Sequence, residues 1–298
     1  MLIGTKLQML AVAAIVAAMA MCSARAQNFD TSTVKVDEVL ADRLPEKIKS
    51  AGVLTIGSDT AYAPWEYLSE TDGQTPEGID VDIAKAIGNR LGVKIDFRTS
   101  AFDAILPALG TKYDIGVSAF SITNERMKAV NFVKYTETGS LWAVRVGNPT
   151  GFDPSDICGR KIAIMSGTYH ERAVTALNEE CKAAGKAEAE LVPFKTLPEA
   201  LTRVAAGGAE AIVSGEAGLG YATKQTGQFE TLVPTTGQLA ERGPNGIAVA
   251  KSDMALAELI RDTINSLIED GTYKAILDAW GVGSTMIDKA TINPDVKI

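Results

Sequence analysis

Histidine and cysteine are scarce in this 298-residue chain, which has one histidine, His170, and three cysteines. Tetrahedral metal sites are built from clusters of these residues, and one histidine with well-separated cysteines cannot furnish such a set. The sequence therefore predicts no metal site, and we expect no cofactor. Acidic residues outnumber lysine and arginine by 37 to 29, which gives a formal net charge of −8. This balance argues against a nucleic-acid or anionic-membrane partner.

Long apolar runs are also missing, apart from one near the start of the chain. The stretch 9–21 follows Lys6 and is too short to span a bilayer as a helix. Ala24-Arg25-Ala26 then offers small residues at the spacing that a secretory signal peptidase recognises. We therefore expect residues 1–26 to be a signal peptide, cleaved to leave Gln27 first, and the protein to be exported to the periplasm.

The three cysteines allow few arrangements. Cys22 could be the lipid-attachment residue of a lipoprotein, but Met21 before it is bulkier than such processing prefers. Cys158 and Cys181 would remain in the mature chain, and an even pair in an oxidising compartment favours a disulfide. Two buried thiols are the alternative, which the polar, turn-forming surroundings of Cys158 disfavour.

Strand-like and helix-like patterns alternate along the chain after a polar leader with a short helix, residues 27–50. The order strand, helix, strand, helix, strand within 53–117 predicts a largely parallel sheet with right-handed crossovers. The helices of this unit are expected over 79–91 and from 102 to about 109. A second α/β unit begins near Asn148. Its expected elements are 161–165, 170–184, 189–194, 197–206 and 210–213, followed by a strand at 247–250 and a helix at 254–269.

The stretch Ser118–Arg126 sets three hydroxyls and one guanidinium directly after the apolar strand 113–117. Arg126 could bind a carboxylate through two parallel, charge-assisted hydrogen bonds, while the hydroxyls and free amides of the turn supply more donors. The alternative is a loop arginine paired with Glu125 or Asp114. These residues alone leave both interpretations open.

Two further segments accompany this stretch. The upstream one, 57–67, contains Asp59, Tyr62 and Trp65 and is followed by Gly78-Ile-Asp80-Val-Asp82; the downstream one is 271–281. In this order and at these spacings, the three segments resemble the periplasmic solute-binding proteins of polar amino-acid ABC importers, the bacterial extracellular solute-binding proteins of family 3. The resemblance runs from about residue 53 to residue 282.

The resemblance implies an α/β fold of the periplasmic-binding-protein type, with two lobes, a ligand cleft between them and two hinge crossings. Lobe 1 would comprise 51–144 and 246–285, lobe 2 would comprise 145–245, and 286–298 would form a C-terminal tail. Such a protein captures a polar amino acid or related zwitterion by hinge closure. Its macromolecular partner would be an ABC permease in the inner membrane, and we expect a monomer.

Eight residues are predicted to bind the ligand. The resemblance implies the roles of Asp59, Tyr62, Phe102, Ser118, Ser121, Arg126 and Thr168, and the eighth residue, Glu216, is predicted because the sequence departs from the family beside it. Arg126, Ser121 and Thr168 would bind the ligand carboxylate. Tyr62 and Phe102 would sandwich the ligand side chain, Asp59 would face its distal polar group, and Ser118 would meet its ammonium. Trp65 is more consistent with packing, and His170 with the rim of the site or with solvent.

Gly215 departs from the family pattern, because the family usually has there the aspartate that binds the α-ammonium. Either the neighbouring Glu216 binds the ammonium, or the ligand lacks an ordinary α-amino group, as opines, cyclic solutes and N-substituted amino acids do. An enzyme is the competing hypothesis, since exported prephenate- or arogenate-dehydrating enzymes share this scaffold. In such an enzyme an acid like Glu216 could protonate the leaving hydroxyl.

Overall fold

A computed structural model describes residues 28–297 of the chain. The expected signal peptide, residues 1–26, and the expected new amino terminus, Gln27, lie outside these residues. Within 28–297, no helix combines the length and the apolarity that a bilayer span needs.

The described residues form thirteen β-strands and ten α-helices. The strands are β1 (Val53–Ser58), β2 (Ala61–Tyr62), β3 (Glu66–Leu68), β4 (Pro76–Glu77), β5 (Lys94–Thr99), β6 (Ile115–Ser121), β7 (Val130–Thr138), β8 (Ser140–Arg145), β9 (Lys161–Met165), β10 (Glu190–Phe194), β11 (Ala211–Gly215), β12 (Phe229–Leu232) and β13 (Gly243–Ala250). The helices are α1 (Glu38–Ala41), α2 (Glu46–Ala51), α3 (Ile79–Leu91), α4 (Phe102–Ile105), α5 (Asn124–Ala129), α6 (Tyr169–Ala183), α7 (Leu197–Ala205), α8 (Glu216–Thr226), α9 (Met254–Glu269) and α10 (Thr272–Ala279).

The first five-stranded sheet has the order β5-β1-β6-β13-β7 and forms the centre of lobe 1. β1 runs parallel to β5 and β6, as the alternating pattern predicts. β13 comes from late in the chain, inserts between β6 and β7, and is antiparallel to both. The apolar faces of α3 and α9 pack against this sheet through side chains such as Ile83, Ile87, Ile260 and Ile264. Lobe 1 is therefore built from two separate parts of the chain.

The second five-stranded sheet has the order β10-β9-β11-β8-β12 and forms the centre of lobe 2. Successive residues of β9 point to opposite faces, as strand geometry requires. Ile162 and Ile164 pack in the cluster that includes α6, whereas Ala163 and Met165 pack in the cluster that includes α7 and α8. The sheet is thus buried on both faces.

The chain crosses between the sheets twice. The first crossing is Gly139, between β7 of lobe 1 and β8 of lobe 2, and the second lies between β12 and β13. The boundaries expected at residues 144 and 245 differ from these positions, because hydrogen bonding places all of β8 in the second sheet and the start of β13 in the first. We propose lobe boundaries at these two crossings.

Several local features differ from the sequence-based expectations or complete them. The leader packs on lobe 1, where the Phe29 amide donates to Asp82 Oδ2 at 2.8 Å and Leu40 is buried. The helix expected from Phe102 ends at Ile105 and continues only as a 3-10 turn. Cys158 and Cys181 form the predicted disulfide, which joins the chain before β9 to α6.

Candidate functional site

Arg126 lies at the cleft between the lobes, in the first turn of α5. Thr123 caps this helix, since its Oγ1 accepts a hydrogen bond from the Arg126 amide at 3.2 Å. The guanidinium donates from Nη1 to the Ser121 carbonyl at 2.8 Å and from Nη2 to the Gly167 carbonyl of lobe 2 at 2.9 Å. Arg126 therefore touches both lobes while remaining only 8% exposed.

The acidic residues suggested as structural partners of Arg126 are bound elsewhere. Glu125 pairs with Arg172 at 3.4 Å, and Asp114 pairs with Lys47 at 3.0 Å. Within residues 28–297 the hydrogen-bond acceptors of the guanidinium are two carbonyl oxygens, those of Ser121 and Gly167. Burial, with a smaller contribution from the nearby Arg172, lowers the pKa of Arg126 to about 9. A cation buried in this way is stabilised by an anion that enters the cleft.

Thr168 is the N-cap of α6 on the lobe 2 side of the cleft. Its Oγ1 accepts from the Glu171 amide at 3.1 Å and donates to the Met165 carbonyl at 2.7 Å. Gly167 before it has a φ of 75°, and a Cβ there would lie 2.9 Å from Cβ of Asp103 in lobe 1. The close approach of the lobes at this point therefore requires glycine.

Asp59 follows β1 and carries the second buried charge of the cleft. It is 5% exposed, and its Oδ2 has no hydrogen-bond partner among the described residues. Burial, together with smaller contributions from the charges of Asp103 and Glu199, raises the pKa of Asp59 to about 6. Because Glu199 belongs to α7 of lobe 2, acids from both lobes surround this position. The arrangement favours a cation from the ligand.

Ser118 is fully engaged by lobe 1. Its Oγ donates to Glu66 Oε1 at 2.7 Å and accepts from the Asp59 amide at 3.0 Å, so the hydroxyl has no further proton to give a ligand. Glu66 neighbours Asp80, whose Oδ1 accepts from the Tyr135 hydroxyl at 2.6 Å. Burial, and then the Asp80 charge, raise the pKa of Glu66 well above its usual value. The carboxyls of Glu66 and Asp80 are thus buried next to each other, and Glu66 holds the Ser118 hydroxyl in place.

Phe102 packs beside the arginine. Its ring stacks on Phe120 with centroids 4.9 Å apart, and the Arg126 guanidinium lies 5.4 Å from its centroid. Tyr62 and Phe102 also pack against the same apolar cluster of lobe 2, which contains Met165. The structure therefore places both aromatic rings where the lobes meet. It assigns Trp65 to the lobe 1 core, where it is 1% exposed.

Tyr62 explains the glycine at position 215. The Tyr62 hydroxyl lies 3.0 Å from Ser214 Oγ and accepts from the Gly215 amide at 3.2 Å. A Cβ on Gly215 would be only 2.8 Å from this oxygen. An aspartate at 215 would therefore displace the Tyr62 phenol, which here occupies the space of a side chain.

Glu216 is held at the two crossings. Arg242 Nη1 donates to its Oε2 at 2.7 Å, and the Thr138 hydroxyl lies 3.4 Å from its Oε1. The Glu216 amide donates to the Gly139 carbonyl at 2.9 Å. The structure thus gives this carboxylate protein partners from both crossings.

A cavity of about 370 Å³ lies between the lobes beside these residues. Tyr62, Ser121 and Gly215 line it together with His170, whose Nε2 is 3.1 Å from Ser140 Oγ. Burial, followed by the charges of Arg126 and Arg172, lowers the pKa of His170 to about 3, so its ring is neutral. No group of three or more potential metal ligands was found among the described residues.

Several residues that lie at the cleft were not among the predicted site residues. Asp103 and Glu199 lie near Asp59, and the Gly167 carbonyl binds Arg126, although each is distant in sequence from its partner. No local pattern marks them, because a backbone carbonyl has no side-chain signal and exposed acids are common. Only the family resemblance could have suggested the region around 167.

The family model for the bacterial extracellular solute-binding proteins, family 3, matches residues 54–283. The chain belongs to this family. The predicted family and two-lobed fold are therefore confirmed, as is a solute-binding function. Members of this family are extracytoplasmic proteins.

Two curated relatives are similar over most of their length. The arginine-binding protein ArgT of Corynebacterium glutamicum is 28% identical over 84% of this chain and 81% of that protein. The L-arginine-binding protein of Pseudomonas aeruginosa is 31% identical over 76% of this chain and 86% of that protein.

Solved structures show the same similarity. An ancestral arginine-binding protein bound to arginine has a TM-score of 0.68 and 31% identity, over 77% of this chain and 98% of that one. The ancestral amino acid-binding protein AncCDT-1, a precursor of cyclohexadienyl dehydratase, has a TM-score of 0.69 and 28% identity, over 79% of this chain and 98% of that one.

Proposed function

We propose that this family 3 protein captures a cationic α-amino acid, with arginine as the first candidate, in the periplasm and delivers it to an ABC permease. The observation that carries the proposal is the pair of buried, opposite charges in the cleft. Arg126 has carbonyl partners but no carboxylate within residues 28–297, and Asp59 has an oxygen without a donor. A ligand with a carboxylate and a separate cation satisfies both charges at once.

Some of the relatives support arginine as the first candidate. Both curated relatives described above are named for arginine, and an ancestral arginine-binding protein shares the fold. The three acids Asp59, Asp103 and Glu199 fit a delocalised guanidinium, which can accept several carboxylate neighbours. Glutamine and glutamate have no cationic side chain, so either would leave these three carboxylates without a counter-charge from the ligand side chain.

Calorimetry on the exported, ligand-stripped protein tests the proposal. We expect arginine to bind more tightly than glutamine, and Arg126→Ala to weaken arginine binding by at least about 100-fold, since removal of one partner of a buried charge pair costs about 3–5 kcal/mol. Arg160→Ala is the matched control, because Arg160 pairs with Glu210 at 3.1 Å in lobe 2. Normal binding by a folded Arg126→Ala variant, or no binding of any cationic amino acid, would refute the proposal.

We further propose that the protein is not an enzyme. The carboxylate of Glu216, the acid considered for a dehydratase, is bound by Arg242 at 2.7 Å rather than left free to contact a substrate. Incubation with prephenate or arogenate should therefore release no product. Turnover that Glu216→Gln abolishes would restore the enzyme hypothesis.

A further inference from the structure

The cavity of about 370 Å³ extends from the candidate site toward the two crossings. It shares Tyr62 and Ser121 with the site, and Ser121 also accepts a hydrogen bond from Arg126 through its carbonyl. Its remaining wall includes Ser140, next to the first crossing, and Asn245, just after the second. The cavity therefore begins beside the group that would hold a ligand carboxylate.

The volume of the cavity is much larger than the volume of an ammonium group. One water molecule occupies roughly 30 Å³ in the liquid, whereas the cavity measures about 370 Å³. Tyr62 marks its boundary, since the phenol bridges the cleft to Ser214 and Gly215. Gly215 contributes no side chain at this boundary, whereas the Tyr62 phenol does.

Most of the charged side chains that line the cavity are paired within the protein. Lys134 binds Glu137 at 2.8 Å, Arg242 binds Glu216 at 2.7 Å, and Lys297 lies 3.4 Å from Glu241. Asp295 also contributes to the lining, but it is exposed to solvent.

The lining also includes neutral polar groups. Among them are the Tyr62 phenol, the Ser140 hydroxyl, the Asn245 amide and the neutral ring of His170. Such a wall offers hydrogen bonds to hydroxyls and amides and no buried counterion to a second charge.

We propose that this cavity is a second compartment of the ligand site and takes a neutral, hydroxyl- or amide-bearing group attached to the α-nitrogen of the amino acid. The α-nitrogen is chosen as the attachment point because the other two polar groups of the ligand would already be bound. Arg126 would hold the carboxylate and Asp59 the cationic side chain, so the α-nitrogen is the functional group left to extend toward Ser121 and the cavity. This inference rests on the proposed function and narrows its ligand to N-substituted cationic amino acids.

Calorimetry with three ligands tests the second compartment. The probes are L-arginine, Nα-(2,3-dihydroxypropyl)-L-arginine and Nα-(2-carboxyethyl)-L-arginine. We expect the dihydroxypropyl compound to bind at least tenfold more tightly than arginine, and the carboxyethyl compound more weakly than the dihydroxypropyl one. Equal or weaker binding of the dihydroxypropyl compound than of arginine overturns the inference while leaving the proposed function intact. Failure of all three ligands to bind overturns both.

A cavity-filling variant tests whether the dihydroxypropyl substituent binds in this cavity. Ser140→Leu places a larger, apolar side chain in the cavity wall and should remove the advantage of the dihydroxypropyl compound while changing the affinity for arginine by less than threefold. Ser252→Leu, at an exposed serine of lobe 1, is the matched control. If Ser140→Leu is folded and retains the full tenfold advantage, the substituent lies elsewhere and the inference fails.

Discussion

Arg126 and Asp59 are placed by neighbouring strands of one sheet. Arg126 follows β6 and Asp59 follows β1, and these strands pair in parallel, so their carboxyl ends lie at the same edge. Ligand sites of α/β proteins commonly form at this edge. A buried guanidinium and a buried carboxylate at one edge, each without an oppositely charged partner among residues 28–297, would be costly unless a ligand supplied both counter-charges.

The affinity for a cationic amino acid should depend on pH through Asp59. Burial raises the pKa of Asp59 to about 6 in the ligand-free protein. A cationic ligand favours the ionised form, so binding must expel a proton below this pH. We expect the affinity for arginine to be constant above pH 7 and to fall by up to about tenfold per pH unit below pH 6.

Asp59→Asn provides the control for this pH dependence. It should bind arginine more weakly at pH 7.5, because the buried carboxylate is gone, and its affinity should vary little between pH 7.5 and pH 5. Calorimetry at several pH values measures both proteins. A wild-type affinity that stays level down to pH 5 would contradict the assignment of Asp59 to the ligand cation.

The disulfide is a feature of lobe 2 alone. It joins Cys158, which lies before β9, to Cys181 in α6. The two cysteines are separated by 23 positions in the sequence. In the chain-entropy model, closing a loop of this size contributes about 3 kcal/mol. The Cys158→Ser/Cys181→Ser variant should lose stability of this order in chemical denaturation.

Loss of the disulfide should affect ligand binding much less than it affects stability. Cys181 lies in the last turn of α6, whereas Thr168 caps its first turn at the cleft. We expect the double variant to bind its ligand within about threefold of wild type at a temperature where both are folded. A stability loss below 1 kcal/mol, measured by denaturant titration, would contradict the expected contribution.

Helices with strong local signals were predicted well. α3 (Ile79–Leu91) and α9 (Met254–Glu269) have the expected limits, because apolar spacing and terminal residues define them within a few positions. The helix from Phe102 was predicted too long. Pro107 lies in the turn that replaces its continuation, and proline lacks the amide proton that an α-helical hydrogen bond requires.

The two lobes touch through specific polar contacts across the cleft. Tyr62 of lobe 1 bonds with Ser214 and Gly215 of lobe 2, while Arg126 of lobe 1 donates to Gly167. These contacts stabilise the observed arrangement of the two lobes and depend on both lobes being in place.

Tyr62→Phe should favour the open arrangement. The substitution keeps the ring but removes the phenol oxygen that bridges to Ser214 and Gly215. We expect the ligand-free variant to have a larger radius of gyration in small-angle X-ray scattering, and ligand to reduce it. Tyr273→Phe is the control, since it removes a phenol bond of 2.8 Å to the Tyr135 carbonyl inside lobe 1. Identical scattering of wild type and Tyr62→Phe would contradict this role.

The sequence by itself determined the family and the α/β class, and it predicted Arg126 and Asp59 as ligand-binding residues. It also indicated the pairing of Cys158 with Cys181, which the structure confirms. These properties depend on short-range patterns: apolar periodicity, caps and motif order persist however distant parts of the chain are arranged. The departure at Gly215 was equally visible in the sequence, although its cause was not.

Only the tertiary structure decided how the two parts of lobe 1 combine and what surrounds the ligand cleft. β13 inserts between β6 and β7, Glu216 pairs with Arg242, and the Tyr62 hydroxyl fills the space beside Gly215. Each of these contacts joins residues of different elements, and most join distant segments of the chain. Such pairings depend on how whole sheets and lobes pack, and the free energy of that packing is not contained in any local window of sequence.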